Sequence, residues 1–184
     1  MQKAVFSSEE LPAGLDDAAR FKLWRDIYAA RFGECEMSAP PDRPFSARCE
    51  FARFGNIGVV QFTSTFDRVA RTARQAAADP RGDILVGFNR GRSIWHVFQR
   101  GREFVCGVGQ AAVFTNVEQF ESRHQGDPTG LVGLSVPRMP LLELVVHGED
   151  RFPSVLDANN AAAQHLGRYL DFLIASPMVE AIRR

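Results

Sequence analysis

The chain has 184 residues, 45% of them hydrophobic and 24% charged, enough for one domain with a sizeable core. Twenty-two Lys and Arg balance twenty-two Asp and Glu, and this disfavours a stand-alone nucleic-acid binder, which needs a basic excess to meet phosphates. Three cysteines without CxxC spacing argue against a disulfide framework or a zinc knuckle and fit a reducing cytoplasm. No signal peptide and no run of about 20 apolar residues is visible, so no membrane association is expected.

Ser7 and Glu10 have capping-box spacing, and Pro12 and Gly14 keep any turn there short. Asp16 or Asp17 offers an N-cap for a helix over 16–32. Phe21, Trp24, Ile27, Tyr28 and Phe32 recur on one face of it, and Gly33 stops it. A Pro-rich connector over 39–44 follows. From 45 to 136 the pattern shifts to short strands: 45–51, 57–66, 67–74, 84–89, 93–99, 102–106, 111–115, 120–125 and 131–136. Gly- and Pro-containing turns separate them, which reads as an all-β sandwich or barrel. After Pro137 the helical period returns. Met139, Leu142, Val145 and Val146 predict a short helix ending near Gly148. Asn159 or Asn160 opens a last helix with the stripe Leu166, Leu170, Leu173 and Ile174, closed by Ser176-Pro177. The expected fold class is α+β: a jelly-roll-like barrel over 45–136, an N-terminal helix over 16–32, and C-terminal helices over 137–175.

No sequence feature supplies a catalytic residue. Gly-x-Ser-x-Gly is absent, and Ser135 lies in an apolar strand. The glycines at 87 and 91 mark a turn that no helix follows, so no dipole holds a phosphate there. Cys106 is a nucleophile only in an electropositive, solvent-reached setting. A metal-dependent jelly-roll enzyme would bring His96 and His124 together with Glu103 or Glu121, although nothing in their spacing makes them converge. No cofactor and no metal is expected.

The strand at 94–98 is apolar on both faces, so Trp95 either fills the barrel or lines a pocket. Arg71 and Arg123 alternate with small or apolar neighbours, and either one, turned inward, requires an anionic partner or ligand. In the strand Asp67–Arg74 the set Val69, Arg71, Ala73 has the smaller, more apolar partners. The candidate ligand-lining residues are Trp95, Arg71, His96, Phe114 and Arg123. The narrow stripe of Leu166, Leu170 and Leu173 is expected to act as a helix-pairing seam in a homodimer.

Several pieces stand in a characteristic order: Phe21 with Trp24-Arg25, Phe32-Gly33, Pro44-Phe45, Arg71-Thr72, Gln99 with Gly101-Arg102-Glu103, Gly109, Val136-Pro137-Arg138, and Leu166 with Tyr169-Leu170. In these the chain resembles the N-terminal ligand-binding and dimerisation domain of AraC-type (AraC/XylS) transcriptional regulators. Gln110 departs from the acidic residue common after the turn glycine. The resemblance implies a cupin-like barrel that holds a small-molecule effector, helices that pair two subunits, and no catalysis. It also implies a helix-turn-helix DNA-binding domain that this chain lacks and that would start about where it stops. The chain is then a truncated product or a separate sensor. A dimerisation module with a filled barrel is the other non-enzymatic reading.

Balanced charge and the absent reading helix predict no specific DNA binding by this chain alone. A gel-shift titration across salt concentrations should give no specific retardation of promoter DNA over competitor.

Overall fold

The computed structural model describes residues 2–78, 82–126, 128–145 and 151–176. Strands β1 (Gln2–Ser7), β3 (Ala47–Phe54), β4 (Ile57–Ser64), β6 (Asp83–Asn89), β9 (Ala111–Thr115), β11 (Thr129–Pro137) and β12 (Ser154–Leu156) form one sheet in the order β1-β3-β4-β11-β6-β9-β12. Strands β2 (Glu36–Ser38), β5 (Arg68–Arg71), β7 (Ile94–Gln99), β8 (Arg102–Cys106) and β10 (Phe120–Gln125) form the second, in the order β2-β5-β10-β7-β8. Every described pairing is antiparallel. The α+β class is as expected, and the expected jelly-roll-like barrel takes the form of two antiparallel sheets that do not close on each other. Each keeps its own edges, at β1 and β12 in one and at β2 and β8 in the other.

Helix α1 (Asp17–Phe32) is fixed at both ends by the predicted caps. Asp16 Oδ1 accepts the Ala19 N–H at 2.8 Å, and Gly33, at φ 94, donates its N–H to the Ala29 carbonyl at 2.9 Å. Its fully buried Trp24 stands among the rings of Phe6, Tyr28, Phe45 and Phe62, with centroids 5.4 to 5.7 Å away. The Ser7–Glu10 capping box also forms, around a 3-10 turn. The hairpin between β7 and β8 turns on Arg100 (φ 55) and Gly101 (φ 68), the positive-φ pair that a two-residue turn matching strand twist demands. Gln110 takes over the acceptor role of an acidic residue: its Oε1 accepts the Gly107 N–H at 2.7 Å and closes the turn.

The strand expected to run to Arg74 ends at Arg71, and helix α2 (Ala73–Ala78) begins instead. Thr72 Oγ1 accepts the Gln75 N–H while Gln75 Oε1 accepts the Thr72 N–H, a second capping box that overrides the strand period. Ala73, expected on the same strand face as Arg71, is therefore helical. Strands β1, β2 and β12 were not expected. Helix α3 (Arg138–Leu144) follows Pro137 as predicted but stops short of its expected end, because Val145 is already extended; Val146 to Gly148, and Pro177, lie outside the described residues.

Helix α4 (Ala161–Ala175) starts at Asn160, whose Oδ1 accepts the Ala163 N–H at 2.9 Å. Its Leu166, Leu170 and Leu173 pack with Val59, Phe88 and Val132 on the outer face of the seven-stranded sheet, and Leu170 is 1% exposed. The expected pairing seam is corrected accordingly: that stripe is used within the subunit, because the outward face of β4, β6 and β11 is itself apolar and needs a cover. The large apolar side chains α4 leaves exposed are Tyr169 and Phe172. Leu170→Glu should therefore unfold the domain, costing about 3–5 kcal/mol, whereas Tyr169→Glu should fold normally. Denaturant midpoints of the two variants check this.

Candidate functional site

The antiparallel ladders put alternate residues of both sheets into the space between them. On the second sheet, Trp95 stands opposite His124, Ser122 lies between Val97 and Val69, and Phe120 lies between Gln99 and Arg71. On the first, Leu131 stands opposite Phe62, Gly133 lies between Val60 and Gly87, and Ser135 lies between Gly58 and Leu85. Between these faces is a cavity of about 280 Å³. That is roughly twice the ~150 Å³ that encloses a benzene ring.

One end of the cavity is apolar and closed by Phe66 and Trp95, both 4% exposed. The Trp95 indole lies over Gly87, where an added Cβ would sit 3.5 Å from the ring, and its Nε1–H donates to Ser93 Oγ at 3.1 Å. The other end is polar. Exposed Arg31, Glu34, Arg53 and Asn56 rim it where the end of α1 meets the β3–β4 hairpin. Arg71 belongs to this end, beside Cys35, and is 5% exposed. Asp83 accepts a hydrogen bond from Ser135 Oγ in the wall nearby.

Trp95, Arg71 and Phe114 of the predicted set all line this cavity. His96 and Arg123 do not. They are cross-strand partners on the outer face of the second sheet, one residue out of phase with Trp95 and His124. His96 Nδ1 lies 3.1 Å from Glu103 Oε1, and Arg123 donates to Glu121 at 2.6 Å while its guanidinium covers the Phe98 ring at 5.4 Å. The metal set is corrected for the same reason, since His96 and His124 face opposite sides of one sheet. Among the described residues no group of three His, Cys, Asp or Glu side chains is placed to hold an ion. Cys106 is fully buried and burial pushes its thiol up to about 12, so it lacks the electropositive, solvent-reached setting a nucleophile needs.

Residues that sequence reasoning did not assign to the site are Ser122, Phe120, Cys35 and, as a cavity residue rather than a metal ligand, His124. For Phe120, Ser122 and His124 the signal was the alternation of β10, which follows once His124 is known to face inward, whereas Cys35 lies in the loop between α1 and β2, where no period marks it. Burial pushes the His124 imidazole down to about 4, against smaller opposing effects of the Phe66 carbonyl and Asp67. Burial likewise raises the Cys35 thiol to about 12, with Arg71 and Arg25 opposing.

The AraC-binding-like domain family matches residues 24–181, and the chain belongs to that family. The fold is similar to the crystal structure of the AraC-like transcriptional activator CuxR, with a TM-score of 0.73 at 18% identity over 94% of this chain. The chain spans about 60% of the length of that protein. No curated protein matches the sequence. Among the described residues, no helix is long and apolar enough to cross a membrane.

The depressed His124 sets a pH dependence. The folded state keeps the ring neutral down to about pH 4, while the unfolded chain takes up a proton near 6.5. Below 6.5 the unfolded state binds more protons, so stability falls as pH drops from 6.5 towards 4, by roughly 3 kcal/mol. Glu50, Glu118 and Glu121, held low by hydrogen bonds to Arg48, Arg100 and Arg123 respectively, act only below their ordinary value of 4.5. Denaturant unfolding between pH 7 and 5 should show the slope in the wild type and lose it in His124→Gln.

Proposed function

We propose that the domain senses a small-molecule effector for an AraC-type transcriptional regulator, acting in the cytoplasm as a homodimer and without catalysis of its own. The observation that carries this reading is one cavity with an indole at its closed end and a guanidinium at its polar end. A buried cation facing such a space favours a carboxylate or similarly anionic group through a bidentate pair, and the aromatic wall takes the apolar part of the ligand. The cavity supports a sensor over a dimerisation module with a filled interior. The contact between subunits is assigned to the outward side of α4, where Tyr169 and Phe172 are exposed.

Trp95→Ala should weaken binding of a carboxylate effector found by a thermal-shift screen by about tenfold or more, while costing less stability than the 3–5 kcal/mol typical of a buried core tryptophan. Arg71→Lys should lose affinity despite keeping its charge, because the ammonium cannot form the paired hydrogen bonds. Ligand titration and chemical denaturation of both variants check this. A stability loss without a loss of affinity would assign Trp95 to the core alone.

A further inference from the structure

The inward row of the seven-stranded sheet runs through Phe51 (β3), Val60 (β4), Gly133 (β11), Gly87 (β6) and Ala112 (β9), each directly opposite the next. Two neighbouring central strands thus carry no side chain in the middle of the cavity floor, and both glycines are buried. Glycine inside a strand weakens it, through lost backbone entropy and lost side-chain packing. The fold itself requires one there for a positive φ, for a bulge, or where another part of the chain presses on the backbone.

Gly133 meets none of these conditions. Neither it nor Gly87 has a positive φ. The ladders on both sides of β11 run through Gly133 without a break, so there is no bulge. A Cβ built at Gly133 would have as its nearest atoms Leu131 Cδ1 and Val60 Cγ1, both at 3.0 Å, and the Val86 carbonyl oxygen at 3.7 Å, all from its own sheet. Leu131 and Val60 line the cavity, so their methyl ends can give way by moving into it. Gly91 shows the contrast: a Cβ there would fall 2.4 Å from the Gly130 nitrogen, and the fold excludes a side chain. At Gly87 the Trp95 indole takes the space, 3.5 Å from such a Cβ. Over Gly133 the facing sheet supplies none of the nearest atoms, and what a side chain would occupy is cavity. The remaining reason for a strand glycine is a ligand that approaches the backbone.

We propose that Gly133 is a specificity-determining residue of the cavity. The effector lies directly against the β11 backbone at this point, and the missing side chain admits a ligand of two fused rings where an alanine would leave room for one. The cavity of about 280 Å³ is nearly twice the ~150 Å³ that encloses a single benzene ring, and the second ring needs the bare floor. This rests on the reading of the cavity as an effector site, and it involves no charged group.

The test uses two uncharged probes, phenol with one ring and 2-naphthol with two. Both are titrated calorimetrically into the wild type and into Gly133→Ala, and a denaturant midpoint is measured for each protein. The wild type should bind 2-naphthol about tenfold more tightly than phenol, or better. Gly133→Ala should lose about tenfold or more in affinity for 2-naphthol and keep that for phenol within about threefold. Its denaturant midpoint should be no lower than that of the wild type. A variant that binds 2-naphthol as the wild type does, or that loses both probes alike, would overturn the inference and leave the sensor reading standing. So would a variant that fails to fold or unfolds earlier, since the fold would then be what requires the glycine. In the wild type alone, phenol bound as tightly as 2-naphthol would refute the two-ring class. Binding of neither probe would also overturn the inference, and the sensor reading falls with it only when the carboxylate screen is empty as well.

Discussion

The site depends on the phase of side-chain alternation along β7 and β10, which their shared ladder locks. Trp95 pairs with His124 and His96 with Arg123. A slip of one residue would exchange the two pairs, replacing an indole and a neutral imidazole with a guanidinium and a second histidine. The register is held from both sides. Inward, Trp95 fits the space above Gly87. Outward, the arginine at 123 satisfies itself on Glu121 and the Phe98 ring. Arg71 joins the inner set because β5 pairs with the other edge of β10 and brings Arg71 opposite Phe120.

The remaining architecture keeps this space open. Helix α4 covers the outer face of the seven-stranded sheet, which frees the inner face of β4, β6 and β11 from having to fill the core. Helix α1 gathers its aromatic side chains around Trp24, and its last turns, with Tyr28, Arg31 and Phe32, form part of the cavity wall. A cavity costs dispersion contacts that a filled core would keep. The aromatic cluster around Trp24, two of whose members, Tyr28 and Phe62, also line the cavity, and the buried stripe of α4 offset that cost.

Much of this was legible in the sequence. The caps of α1 and α4, the boundaries of β10 and the tight turn at Arg100-Gly101 follow from short local patterns, and the structure keeps them. Trp95, Arg71 and Phe114 were also identifiable as cavity candidates. The phase of β7 was not, because Ile94, Trp95, Val97 and Phe98 make both of its faces apolar and leave period two without a direction. His96 and Arg123 were misplaced for that reason. The leucine stripe of α4 has the spacing of a pairing seam and of a core-facing helix alike, and only the apolar outer face of its own sheet distinguishes them. Thr72 and Gln75 did carry a readable cap, but the alternation of Val69 and Arg71 ran into it. Strands β2 and β12 have three residues each, too few for any period to register.

The central claim, that a small ligand enters the space beside Trp95 and not the core around Trp24, is most directly tested by fluorine NMR of protein labelled with 5-fluorotryptophan. The chain holds two tryptophans, so two resonances report on the two places separately. Titration with an aromatic carboxylate should shift the Trp95 resonance saturably and leave that of Trp24 in place. A Trp95 resonance that stays fixed while the ligand binds, or two resonances that move together, would contradict the account.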